Sequence, residues 1–153
     1  MGIGLSECVV REARRSDLRG VYLVEARSFP HPYPLELFIS FQTLYPKFFL
    51  VADCSGTIAG YVVGVKEMGS TGHIISLAVH PSYRGKGLGS VLLRELEERM
   101  VREGVKRIKL EVSVSNRAAI SLYRSRGYRV VNVVPNYYPD GSDAYVMVKE
   151  LRS

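Results

Sequence analysis

The run Arg84-Gly-Lys-Gly-Leu-Gly89 stands between a strand-like segment and a long amphipathic helix pattern. A strand, a glycine-rich turn and a helix start gather backbone N–H groups and the positive end of a helix dipole at one point, a ready anion site. The glycines would let a phosphate approach the main chain. The spacing is not the G-x-x-x-x-G-K-S/T of a triphosphate loop, and nothing supports the ribose partner of a dinucleotide fold. Further along, Glu111 alternates with apolar residues on a strand, which makes it a carboxylate available as a base. Tyr123 falls on a helical face, where a buried hydroxyl needs a partner. His73 opens another strand, Tyr137 and Tyr138 are adjacent, and residues 29–34 read Phe-Pro-His-Pro-Tyr-Pro. Each has an ordinary alternative: a solvated carboxylate, a core tyrosine, a structural histidine, a hairpin pair, a plain connector.

These residues need elements to hold them. Residues 9–13 read as a short strand, and Ser16 or Asp17 can cap a helix carrying Leu18, Val21, Tyr22 and Ala26 at helical spacing. Three prolines force residues 29–34 into an extended loop before a second helix over residues 35–44. Residues 48–52 and 57–66 read as strands joined by an Asp-Cys-Ser-Gly turn, and residues 73–79 as a third strand of an antiparallel meander. Leu88, Val91, Leu92, Leu96 and Met100 form one apolar stripe, with Gly104 at its stop. Ile108, Leu110, Val112 and Val114 alternate with Lys109, Glu111 and Ser113, so Glu111 points away from the apolar side. Asn116 can cap a helix that runs through Tyr123 and ends at Gly127, and strands over 128–134 and 144–151 flank a polar loop. The order predicted is strand, two helices, three strands, helix, strand, helix, two strands.

At 153 residues, 46% hydrophobic and 24% charged, with no repeat or linker, the chain suits a single domain over 1–153. No run approaches the ~20 apolar residues of a membrane span, and the basic residues near the amino terminus follow the apolar ones, so a cytoplasmic protein is expected. Cys8 and Cys54 lie in unlike contexts with no second pair and no Cys/His cluster. That pattern argues against a disulfide framework and against structural zinc and leaves two buried or idle thiols. Twenty-one Lys and Arg against fifteen Asp and Glu give +6, which would serve nucleic acid, an acidic protein or a phosphate-rich small molecule equally well.

Residues 73–89, His-Ile-Ile-Ser-Leu-Ala-Val-His-Pro-Ser-Tyr-Arg-Gly-Lys-Gly-Leu-Gly, resemble the acetyl-CoA motif of the GNAT superfamily in its form LAVxPxYRGxGxG. The resemblance continues through Leu-Glu-Val-Ser-Val-Ser-Asn-Arg-Ala-Ala-Ile-Ser-Leu-Tyr-Arg-Ser-Arg-Gly-Tyr at 110–128 and Asn-Tyr-Tyr-Pro-Asp-Gly-Ser-Asp-Ala-Tyr-Val-Met at 136–147. Within the superfamily the chain is similar to the ribosomal-protein alanine N-acetyltransferases and to archaeal protein N-terminal acetyltransferases. The resemblance implies an α/β (α+β) fold, a mixed and mainly antiparallel sheet of about six to seven strands flanked by about four helices. It implies that the backbone of Arg84, Gly85, Lys86, Gly87, Leu88, Gly89 and Ser90 holds the pyrophosphate of CoA. Leu77, Ala78 and Val79 would pair through their backbone with the pantetheine arm, and Asn116 and Tyr123 match further cofactor positions. Tyr123 would be the acid that protonates the departing thiolate and Glu111 the general base, acting through water. Phe29, Tyr33, Tyr137 and Tyr138 would shape the pocket for a substrate's amino terminus, with His73 beside it as a second residue in the amine's proton path.

Cys8 and Cys54 match no catalytic position, so direct attack in a ternary complex is expected in place of an acyl-cysteine route. Freeing an α-amine at pH 7 costs about 1 kcal/mol and a lysine amine about 4.6 kcal/mol, so a modest base suffices for the first. A site that buries a lysine lowers its pKa as well. The +6 charge then has a local use, with Arg84 and Lys86 steering CoA. The expectation is an enzyme using acetyl-CoA and no metal, acting on polypeptide amino termini, a ribosomal protein among them, with no membrane and no direct nucleic-acid role. The alternatives are a GNAT enzyme acetylating a lysine or a small amine, a non-catalytic CoA-binding subunit, and a basic RNA-binding domain. The loop at 29–34 looks closer to the bacterial "FP" form than to the "LPENY" form of archaeal and eukaryotic relatives, which leaves the preferred first residue open.

Overall fold

The structure, a computed structural model, describes residues 7–151. Along them run β1 (Cys8–Glu12), α1 (Leu18–Ser28), α2 (Leu35–Leu44), β2 (Phe49–Cys54), β3 (Thr57–Lys66), β4 (Thr71–Val79), α3 (Leu88–Arg102), β5 (Arg107–Ser113), α4 (Arg117–Ser125), β6 (Arg129–Val134) and β7 (Ala144–Glu150). This is the predicted order, with bounds moved by a residue or two. The strands form one sheet in the order β1-β2-β3-β4-β5-β7-β6. β4 and β5 run parallel, whereas β1/β2, β2/β3, β5/β7 and β6/β7 are antiparallel, which makes the mixed, mainly antiparallel sheet that was expected. The β4/β5 register runs from Thr71↔Arg107 to Ile74↔Leu110, so Leu77, Ala78 and Val79 lie beyond it. Among the described residues no helix is long and apolar enough to cross a membrane.

The chain divides into two compact units, one made of the residues up to Gly64 with Ser76–Arg99, the other of Val65–Ile75 with Met100 onward. In the first, β2 is buried on both faces at Phe49, Leu50, Val51 and Ala52, as its unbroken apolar run implies. Phe38 of α2 meets the rings of Phe49 and Tyr61 with centroids 6.1 and 5.7 Å away. Leu88, Leu92 and Leu96 of α3 are buried as the helical stripe requires, together with Leu93. In the second unit, β5 buries Ile108, Leu110 and Val112 and leaves Lys109, Glu111 and Ser113 partly exposed, the two-residue period of a strand. Met100, Val105, Tyr123, Tyr128 and Met147 complete that core.

Two local expectations are corrected. Asp17 does not cap α1 through its side chain. Its carboxylate accepts the Arg14 N–H at 2.7 Å and takes both guanidinium arms of Arg11 at 2.7 and 3.0 Å, a charge-assisted bidentate pair stronger than a neutral helix N–H offers. The two cysteines are not idle thiols. Antiparallel pairing of β1 with β2 sets Cys8 directly opposite Cys54, and the pair forms a disulfide across 46 positions of sequence.

Candidate active site

The parallel register of β4 and β5 sets His73 beside Lys109, and Glu111, two residues on, stands on the same face of β5 as Lys109. His73 Nε2 lies 2.7 Å from Glu111 Oε1. On the other side of the ring, Nδ1 lies 3.1 Å from Glu67 Oε2, and Lys109 Nζ lies 3.1 Å from Glu67 Oε1. The Tyr137 hydroxyl reaches toward Glu111 Oε1 at 3.5 Å. The hydrogen bond with Glu111 raises the His73 pKa above the usual imidazole range, with burial opposing, and both carboxylates add to the rise. Burial pushes the Glu111 carboxyl up, but the His73 hydrogen bond and charge outweigh it and leave Glu111 below the usual carboxylate range. Glu67 is lowered by its hydrogen bond with Lys109. Imidazole and carboxylate thus favour the ion pair and titrate as a unit.

Tyr137 and Tyr138 stand edge to face, centroids 4.9 Å apart, at the head of the loop before β7. That loop is tied by the Tyr137 and Tyr138 N–H groups donating to the Ser142 carbonyl, and by Asp140, which accepts the Ser142 N–H and hydroxyl at 2.9 and 2.6 Å. Tyr137 remains 46% exposed, so its ring is available to a ligand. Asn116 caps α4 as expected, its Oδ1 accepting the Ala119 N–H at 3.2 Å. Tyr123, carried by that helix, is buried against Tyr128. Burial raises its hydroxyl pKa well above the usual phenol range, with Tyr138 adding to the rise, so the group holds its proton at any physiological pH.

In the other unit, the turn after β4 has Gly85 at φ +79° and Gly87 at φ +82°, a left-handed backbone that glycine adopts at no steric cost. α3 opens straight after Gly87, whose carbonyl accepts the Val91 N–H. A side-chain carbon at Gly85 would meet nothing within 4 Å, so the main chain there lies open to a ligand, which fits a phosphate cradle. The Arg84 side chain is exposed, its Nε donating to the Val79 carbonyl at 2.8 Å and Nη2 to Ser28 Oγ at 3.1 Å. It ties the turn to the last residue of α1, just ahead of Phe29. Lys86 is half-buried, as are Gly89 and Ser90, while Leu88 is buried in the core.

The loop at 29–34 is held by a residue the sequence reading missed. Glu25, buried in α1, accepts the Tyr33 N–H at 2.9 Å, the Ser76 hydroxyl at 2.9 Å and a short hydrogen bond from the Tyr61 hydroxyl. Its position four residues after Val21 on the apolar face of α1 is the signal that would have found it. The Tyr33 ring itself stands edge-on to Phe38, 6.4 Å away. Glu67 and Lys109 were also missed. Among the expected residues, His73, Glu111 and Tyr137 form one cluster, and Asn116 organises the helix that carries Tyr123.

Residues 18–128 match the acetyltransferase (GNAT) family. An uncharacterised N-acetyltransferase of Methanocaldococcus jannaschii is 41% identical over 143 residues, covering 93% of this chain and 91% of that one. An N-alpha-acetyltransferase of Sulfurisphaera tokodaii is 33% identical over 154 residues, covering 93% and 92%. The crystal structure of the ribosomal-protein-S18-alanine N-acetyltransferase of Escherichia coli superposes with a TM-score of 0.84 at 29% identity, covering 95% of each chain.

Proposed function

The chain belongs to the GNAT acetyltransferase family, and on that premise we propose that it moves an acetyl group from acetyl-CoA to the α-amine of a polypeptide, by direct attack and without an acyl-enzyme. That it is an N-acetyltransferase follows from the family and its relatives. The observation that carries the finer reading is the His73–Glu111 pair, 2.7 Å apart, with the exposed Tyr137 placing its hydroxyl 3.5 Å from the same carboxylate oxygen. A proton acceptor bordered by an aromatic wall suits capture of a chain end. The name of the Sulfurisphaera relative supports the α-amine as acceptor, and that of the Escherichia coli enzyme makes a ribosomal protein one candidate substrate.

Acetyl-CoA supplies the activated acetyl group as a thioester. The open backbone of Gly85 and the left-handed Gly87, with the amino end of α3, would hold its pyrophosphate, and Leu77, Ala78 and Val79, which lie beyond the β4/β5 register, would face its pantetheine arm. Glu111 takes the proton of the incoming amine through water, and His73 shares that proton. A carboxylate lowered by an imidazolium is a weak acceptor by itself, but the α-amine is only about 1 kcal/mol from its neutral form at pH 7. As the carbon–sulfur bond breaks and the new amide forms, Tyr123 gives its proton to the sulfur and regains one from solvent. Tyr137 and Tyr138 would bound the acceptor beside Glu111. Mass-spectrometric mapping of a peptide with a free amino-terminal alanine and one internal lysine tests this: acetyl is expected on the α-amine, and acetyl on the lysine alone would overturn it.

A further inference from the structure

We propose that Glu67 is a positioning residue for this reaction: it anchors the His73 ring through Nδ1, keeps Nε2 on Glu111, and stabilises the imidazolium that carries the substrate's proton. The inference rests on placing Glu111 and His73 on the proton-accepting side.

Glu67 follows β3 and lies in the turn to β4, where its N–H donates to the Thr71 carbonyl at 2.8 Å. That turn returns its carboxylate to the ring six residues later, Oε2 to Nδ1 at 3.1 Å. Both ring nitrogens thus have carboxylate partners, and a flip of the ring would sacrifice two hydrogen bonds at once. The imidazolium donates from both nitrogens, to Glu67 at Nδ1 and to Glu111 at Nε2, and in the neutral ring one of the two carboxylates loses its donor. When Glu111 has received the amine's proton, its O–H bond breaks as the Nε2–H bond forms, and the charge created on the ring falls between the two carboxylates. Glu67 does not itself take a proton, the part an orienting carboxylate plays in a hydrolase triad. Lys109 on the second Glu67 oxygen, at 3.1 Å, keeps that carboxylate ionised and aimed. The Glu67 side chain is 39% exposed against 18% for His73 and for Glu111, so its replacement leaves the core untouched.

The charged and titratable groups facing His73 are Glu67 from the turn, Lys109 and Glu111 from β5, and Tyr137 through Glu111. The ring accepts a proton only when neutral, so kcat rises with pH through its pKa. Removing the negative charge of Glu67 lowers that pKa and moves the acid limb of kcat to lower pH. Glu67→Gln is therefore expected to lower kcat about tenfold, less than the ~100-fold or more that loss of a direct acid or base brings. KM for acetyl-CoA and for peptide should stay unchanged, and the limb should shift downward. Nitrogen-15 NMR titration of His73 should show a higher ring pKa in the parent protein than in the variant. An unchanged kcat with an unmoved limb, a joint loss of kcat and affinity with an unmoved limb, or a ring pKa unmoved by the substitution would each overturn the assignment. Glu111→Gln, measured in parallel, separates the two levels: if it too is harmless the base reading fails, whereas if it alone is damaging only the role of Glu67 fails.

Discussion

As the proposed acid, Tyr123 would enter the reaction as a neutral phenol, because burial disfavours its anion. Tyr123→Phe removes the donor and almost no contact area. It should lower kcat about 100-fold while changing acetyl-CoA affinity little, measured by initial rates and by calorimetric titration. Equal losses in both would contradict the acid role. The strand position of Glu111 and the helical position of Tyr123 were legible in the sequence, from alternation and from the cap at Asn116. Glu67 was not, because it meets His73 only through the turn between β3 and β4 and meets Lys109 only through the parallel register of β4 with β5. Nothing in a one-dimensional pattern announces either encounter. Glu25 was half-legible: its place on an apolar helical face was visible, but Tyr61 and Ser76, 36 and 51 positions away, were not visible as partners.

At the scale of elements, the turn between β4 and α3 does the positioning. Its glycines were read as residues that would admit a phosphate, and the positive φ of Gly85 and Gly87 is a separate requirement the sequence could not display. Gly87→Val should therefore act twice. It should cost about 1–2 kcal/mol of stability through a strained left-handed backbone, seen as a lower melting temperature. It should also weaken acetyl-CoA binding at temperatures where the variant is fully folded, with turnover recovering at saturating acetyl-CoA. Unchanged affinity in a folded variant would contradict the cradle. The element order was readable because period and turn residues agreed along the whole chain. The sheet order was less so, since β7 inserts between β5 and β6 and only long-range pairing decides that.

Over the whole molecule, the disulfide between Cys8 and Cys54 is the clearest stabilising device that composition concealed. Two lone cysteines 46 positions apart look unrelated until β1 and β2 pair. Closing a loop of that length stabilises by up to about 4 kcal/mol, chiefly by restricting the unfolded chain. Cys8→Ser, or reductant added to the parent protein, should lower the melting temperature by roughly 10 °C, and the two treatments should not add. No shift with either would show that the bond contributes nothing to stability.

The central claim is that the GNAT chemistry of this chain is directed at free amino termini. It is tested most directly by release of CoA thiol from acetyl-CoA in the presence of short peptides beginning Ala, Ser, Met or Glu, each paired with an amino-terminally blocked copy that carries an internal lysine. The account predicts turnover on the free peptides, with a ranking among first residues, and none on the blocked copies. Turnover on the blocked copies alone would contradict it.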